Sequence, residues 1–214
     1  MNKQELIDFE TEIGTRFNNR EIRAPIHLAD GNEDQIIKIF EKIDVVNDWV
    51  CCTWRNHYQA LLKGVPREVL RERIMSGKSM VMNLPDYKFI CSSIVGGIPS
   101  IATGIALAAK LKGTAERVWC WTGDMSAETG AWSEAYRYAV AQDLPITFVV
   151  EDNELSVLTP THEVWGPDKW YLPPQHSDRP ERENVIYYKG KNLIYYKYKN
   201  NKYPHAGAGV RVQF

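Results

Sequence analysis

Apolar residues recur at helical spacing in two N-terminal stretches, Leu6, Phe9, Ile13 and Phe17 within 3–17 and Ile36, Ile37, Phe40 and Ile43 within 33–46, each with a polar opposite face. The pattern predicts two amphipathic helices. A third helical stretch is expected over 47–63, and Pro66 opens another, PREVLRERIM, which ends near Gly77. From Pro99, PSIATGIALAAKLKG reads as a helix with proline near its start and Gly113 after its end. Its Ser100, Gly104 and Ala108 form one ridge of small residues, which lets another helix backbone approach closely, whether from the same core or from a second subunit.

RVWCWTGD (117–124) and PITFVVEDN (145–153) are apolar runs that end in polar and acidic residues, with a helical pattern, SAETGAWSEAYRYAVAQ (126–142), between them. This is a βαβ unit, so its two strands are expected to be parallel and joined by a right-handed crossover. Beyond Asn153 the chain is rich in Pro, Trp and His up to 183. NVIYYK and NLIYYKYK then read as a hairpin around Gly190 and Lys191. The fold class predicted is α/β: a parallel sheet flanked by helices, with a short C-terminal β-hairpin extension. The divisions expected are a helical segment over 1–44, an α/β domain over 45–183 and the hairpin over 184–214.

Composition narrows the function classes. The chain has 214 residues, 44% of them hydrophobic, enough for a core that needs neither disulfides nor metal. Twenty-six Lys and Arg against 27 Asp and Glu give a net charge of -1, which provides no global field for a polyanion or an anionic membrane. The tail from Asn184 to Pro204 interleaves lysines with tyrosines, a composition that can bind single-stranded nucleic acid. The preferred reading is a hairpin whose lysines blunt an exposed edge, so no nucleic-acid partner is expected. Cys51, Cys52, Cys91 and Cys120 have neither CxxC nor zinc spacing, and the N-terminus lacks the pattern of a signal peptide. Reduced thiols and a cytoplasmic location are expected. Phe89 to Ala109 carries no charge, but its Pro99, glycines and serines read as a buried loop feeding a buried helix, and no membrane association is expected.

Candidate chemistry sits at the strand ends. In open parallel sheets ligands bind outside the carboxyl ends of the strands, where Asp124 and Asn153 stand. Their oxygens are hard ligands suited to magnesium carrying phosphate oxygens, and the helix that follows Asp124 favours an anion at its start. A helix cap at Asp124 and a turn residue at Asn153 are the structural alternatives. Neither GxGxxG nor GxxxxGK[ST] is present, so the common dinucleotide and P-loop solutions do not apply.

GDMSAETGAWSEAYRYAVAQDLPITFVVEDN resembles the thiamine diphosphate fingerprint, which opens Gly-Asp-Gly and closes Asn-Asn. The similarity runs upstream through SSIVGGIPSIATGIALAAKLKG and GKSMVMN to WRNHYQALLKGVPRE. Over about residues 45 to 165 the chain resembles the alpha subunit of the decarboxylating first component of 2-oxoacid dehydrogenases, a family whose members act on pyruvate, branched-chain 2-oxo acids or acetoin.

The resemblance implies a thiamine diphosphate-binding fold, with thiamine diphosphate and Mg2+ as cofactors. Asp124, Asn153 and the carbonyl of Leu155 would hold the metal. Gly123, Met125 and Ser126 would touch the diphosphate, Arg55 would reach it as a bidentate donor, and Trp54 would stand for the family's tyrosine. Ser92 and Ile94 would contact the aminopyrimidine, Ile94 also wedging the cofactor bent, and His57 would be an acid, base or donor near the thiazolium. His162 and His205 have no firm counterpart. Met125 replaces the second glycine of the fingerprint and Asp152 the first asparagine. Val81 stands where a histidine is usual, and the later His-Gly-His-Ser loop is not recognisable.

The function implied is an oxidoreductase (EC 1.2.4.-) that decarboxylates a small 2-oxo acid and passes the oxidised acyl group to a lipoyl-bearing acyltransferase. A beta-type, pyrimidine-binding subunit would complete the site, in an α2β2-like assembly or a homo-oligomer. The amino-terminal half of a split transketolase and a non-catalytic cofactor-binding or regulatory subunit are the alternatives.

Overall fold

The computed structural model describes residues 1–172 and 186–209. α1 (Lys3–Asn18) starts from a reciprocal cap in which the Asn2 side chain accepts the Glu5 N–H at 3.0 Å while Glu5 accepts the Asn2 N–H at 2.6 Å. α2 (Glu33–Phe40) ends earlier than the pattern over 33–46 suggests. The helix expected over 47–63 is instead β1 (Trp49–Cys52) followed by α3 (His57–Leu62). Val50 and Cys52 enter one core and Cys51 the other, and so short a strand, buried on both faces, has a periodicity that does not separate it from a buried helix turn.

α4 (Arg67–Met75) follows Pro66, and β2 (Asn83–Leu84) and β3 (Phe89–Cys91) lead to α5 (Gly97–Lys112), which Gly113 closes in the left-handed conformation at φ 65°. β4 (Val118–Gly123) runs straight into α6 (Asp124–Ala127). The single helix expected over 126–142 is broken between α6 and α7 (Gly130–Ala141). Thr129 makes the break: its hydroxyl donates to the Ser126 carbonyl at 2.7 Å and accepts the Trp132 N–H at 3.3 Å. After β5 (Ile146–Asp152) come a small ribbon, β6 (Leu155–Ser156) and β7 (Thr159–Pro160), and α8 (Thr161–Trp165). The hairpin is β8 (Ile186–Lys189) and β9 (Leu193–Lys197). Asn184, Val185 and the division placed at 183/184 lie outside the described residues.

Among the described residues the main sheet has seven strands in the order β2-β3-β1-β4-β5-β9-β8. β3, β1, β4, β5 and β9 are parallel, and β2 and β8 run antiparallel at the two edges. The hairpin thus enters the sheet itself through β9, beside β5. β1 and β4 are neighbours although β3 lies on the far side of β1, so the strand order reverses between them, and their carboxyl ends flank a switch point. Residues alternate across the sheet. Trp119, Trp121, Val149, Ile194 and Tyr196 pack beneath α1 to α4, and Val118, Cys120, Phe148, Val150 and Tyr195 beneath α5 and α7.

α5 buries Ile98, Ala102, Ala106 and Ala109, which leaves Ser100, Gly104 and Ala108 on its exposed side. The four cysteines are free and buried. No helix among the described residues is long and apolar enough to cross a membrane.

Candidate cofactor site

The carboxyl ends of β1, β4, β5 and β9 open into one narrow cleft of about 40 Å³ that communicates with solvent. β1 delivers Thr53, Trp54 and Arg55, and β4 delivers Gly123, Asp124, Met125 and Ser126. β5 delivers Glu151, Asn153 and Leu155, and β9 with the segment after it delivers Tyr198 and His205. Most of the residues expected to bind a cofactor are therefore brought together. Val95, from the turn that carries Ser92 and Ile94, also lines the cleft. Ser92 and Ile94 themselves lie off the lining, Ser92 tied to the Cys52 carbonyl through its N–H at 3.0 Å and Ile94 69% exposed.

Two turns shape the end of β5. Asp152 Oδ1 accepts the Glu154 N–H at 2.8 Å and Asn153 Oδ1 accepts the Leu155 N–H at 3.2 Å, which turns the chain back beside Asp124. Asp124 is buried. Its Oδ2 accepts the Thr161 hydroxyl and lies 3.9 Å from Lys169 Nζ. Burial, and then the neighbouring Asp152 carboxylate, push the Asp124 carboxyl up to about 7. Burial raises Asp152 as well, but the Lys169 ammonium 2.8 Å from its Oδ2 and the Tyr195 hydroxyl, donating at 2.6 Å, outweigh it, and its pKa is lowered. Glu151, the preceding residue, points to the other face, where it takes hydrogen bonds from Tyr196 and from Asn32 at 3.0 Å. Burial raises it to about 7.

Arg55 is held at the cleft by its Nε, which donates to the Leu28 carbonyl at 3.0 Å. His205 Nε2 lies 3.2 Å from His27 Nε2, and both rings neighbour Trp54. His57 is elsewhere. Its ring is fully buried at the start of α3, Nδ1 2.9 Å from Glu10 Oε2 and Nε2 2.8 Å from the Ser79 hydroxyl, and it does not reach the lining. Val81 is exposed. His162 lies by a second, more open depression with Asn153, Leu155 and Lys199.

The donor set suits a magnesium diphosphate. Asp124, Asn153 and Leu155, which can offer a carboxylate, an amide oxygen and a backbone carbonyl, line one cleft, and Ser126 of the same lining has a buried Oγ without a hydrogen-bond partner. A site of this kind does not require a cluster of side-chain ligands, and no group of three or more His, Cys, Asp or Glu is gathered for a metal among the described residues. Because α6 is a single turn separated from α7, the expected contribution of a long helix to anion binding is not available here.

The model of the dehydrogenase E1 component matches residues 1–166. The chain belongs to this family. It is 29% identical over 161 residues to the pyruvate dehydrogenase E1 component subunit alpha of Rickettsia typhi, a match covering 71% of this chain and 49% of the relative. The corresponding subunit of Porphyra purpurea is 31% identical over 168 residues, 70% of this chain and 48% of the relative. The alpha subunit of acetoin:2,6-dichlorophenolindophenol oxidoreductase from Cupriavidus necator is 28% identical over 156 residues, with 68% and 46% covered. The E1-type chain thus spans about half the length of the curated relatives it matches.

The match ends before the segments that carry Tyr198 and His205 into the cleft of this family member and Lys169 against Asp152 and Asp124. His205 stood out in the sequence only as part of KYPHAGAG, and Lys169 carried no signal in a stretch without regular pattern.

Proposed function

We propose that this chain is the alpha-type subunit of a thiamine diphosphate-dependent, decarboxylating 2-oxo acid dehydrogenase, and that it holds the cofactor's diphosphate through magnesium. The observation that carries the reading is the meeting of Asp124, Asn153 and Arg55 at the ends of parallel strands in one cleft of an E1-family chain. Asp124, the Asn153 side-chain oxygen and the Leu155 carbonyl would hold the metal, and Arg55 and the backbone at Gly123 to Ser126 the diphosphate. Thiamine diphosphate supplies the nucleophilic carbon and electron sink that decarboxylation of a 2-oxo acid requires.

This chain's residues hold only one end of such a ligand. The described residues of the cleft supply oxygens and a guanidinium for the diphosphate, and a beta-type subunit would supply the carboxylic acid and the cover that excludes water at the pyrimidine. The acyl acceptor would be a lipoyl-bearing acyltransferase. A second reading, a cofactor-binding subunit without catalysis of its own, draws on the burial of His57 away from the cleft and on the exposed Val81.

Calorimetric titration of the chain with thiamine diphosphate tests the first reading. Binding should be weak, should require Mg2+ and should vanish in Asp124→Asn. A beta-type partner should raise the affinity and switch on exchange of the thiazolium proton, followed by NMR. Binding that is indifferent to chelator and to Asp124→Asn would refute it. Tightened binding with no proton exchange would favour the second reading.

A further inference from the structure

Behind the cleft lining, the Asp124 carboxylate faces a second carboxylate and a cation. Asp124 and Asp152 leave the ends of neighbouring parallel strands, and Lys169, on the segment after α8, places Nζ 2.8 Å from Asp152 Oδ2 and 3.9 Å from Asp124 Oδ2. Its side chain is 16% exposed, so the ion pair is largely shielded from water. The Tyr195 hydroxyl steadies the same Asp152 oxygen, and the Thr161 hydroxyl the same Asp124 oxygen. Ser126, two residues along the chain from Asp124 and also in the cleft lining, has a buried Oγ without a hydrogen-bond partner.

We propose that the Lys169 ammonium is a built-in counter-ion that holds the Asp124–Asp152 pair in the metal-free protein and competes with a divalent cation for it, thereby setting the affinity of the cleft for magnesium. The inference rests on the magnesium part of the function proposed above.

Two carboxylates crowded at buried strand ends repel each other, and each ion taken out of water carries a large desolvation cost unless a positive charge stands close. Lys169 supplies that charge in the absence of metal. A magnesium ion held by Asp124 would bind the carboxylate that faces the ammonium, and it demands oxygen ligands at about 2.0 to 2.1 Å in near-octahedral array. The two cations cannot occupy that space together at low cost. The flexible four-carbon stem of lysine lets the ammonium withdraw, whereas a planar guanidinium would hold the carboxylates more firmly. Entry of the metal is therefore an exchange of one cation for another.

The test uses the whole chain, with Mg2+ followed by calorimetry and Mn2+ by electron paramagnetic resonance, without cofactor. Lys169→Met keeps most of the stem and removes the charge, and it should bind both ions at least about tenfold more tightly than the parent. Its melting temperature should fall without metal and rise more on adding Mg2+ than the parent's does. Lys169→Arg should bind Mn2+ several-fold more weakly. Parent-like affinity in either variant, or weaker binding in Lys169→Met, overturns the role of the lysine while leaving the magnesium site intact. If neither the parent nor Lys169→Met binds Mn2+ at millimolar concentration, both the lysine's role and the magnesium site fall together. If Lys169→Met does not fold even with Mg2+, Lys169→Arg decides by itself.

Discussion

Nδ1 of His57 stands 2.9 Å from Oε2 of Glu10, with both side chains almost wholly withdrawn from solvent. Glu10 also accepts the Ala29 N–H at 3.0 Å, so one carboxylate ties α1 to the start of α3 and to the loop before α2. Removing it leaves an imidazole and an amide without acceptors in a low-dielectric interior. Glu10→Ala should therefore cost about 3 to 5 kcal/mol in urea unfolding. His57→Gln should cost less, about 1 to 3 kcal/mol, because the Ser79 hydroxyl can still be paired. Cofactor affinity of the folded His57→Gln protein should stay within about twofold of the parent, as expected for a site off the cleft. A loss of tenfold or more would return His57 to the binding machinery.

The extent to which this arrangement is legible in the sequence follows from range. β4, α7 and β5 announce themselves by continuous apolar runs and a helical period, and the right-handed crossover rule then fixes them as parallel neighbours. Asp124 and Asn153 follow from that, since strand ends are positions along the chain. β1 is hidden because four residues buried on both faces carry neither alternation nor a 3.6 period. The parallel pairing of β9 with β5 joins Phe148 to Leu193 across a long interval, and nothing local encodes it. The same holds for Lys169 and His205, which irregular segments carry to the Asp124–Asp152 pair and to the cleft respectively. For His57 the family motif gave the residue but not its direction; the carboxylate that captures it lies in a different helix.

Gly31 is the close approach between the N-terminal loop and the segment after β9. Its φ is +84°, and a Cβ there would lie 2.2 Å from the Lys199 carbonyl oxygen. A backbone oxygen cannot rotate away as a side chain can. Gly31→Ala should cost at least about 2 kcal/mol from backbone strain and collision together. Chemical denaturation should show a lower midpoint with an unchanged slope. A midpoint equal to the parent's would mean that the segment from Tyr198 onward shifts freely.

Arg55 should matter for the diphosphate and not for the metal. Its Nε is committed to the Leu28 carbonyl, which leaves the fork fixed at the rim of the cleft beside Tyr198 and His205. Lysine in its place would keep the charge and lose the planar, two-point contact. Arg55→Lys should weaken thiamine diphosphate binding about tenfold. Mn2+ binding without cofactor should be unchanged, which separates this residue from Asp124. Equal losses for metal and cofactor would place Arg55 in support of the metal site instead.

His27 gives the protein an acid-sensitive element at the cleft edge. Burial, and then the neighbouring His205 and Arg55, lower its pKa from the ordinary 6.5 to about 3. The folded state therefore holds the imidazole neutral at pH values where the unfolded chain protonates it. The stability this contributes is fully present above pH 6.5 and is lost as pH falls from there toward about 3. Glutamine at position 27 keeps an amide near His205 Nε2 and binds no proton. Between pH 7.5 and 5 the unfolding free energy of the parent should fall about 2 kcal/mol more than that of His27→Gln. The figure is governed by the unfolded-state pKa, because the folded one lies well below that window. Urea unfolding of both proteins at several pH values measures the difference directly. Parallel curves would show that the fold accommodates a charged His27, and that its contact with His205 carries no acid-linked energy.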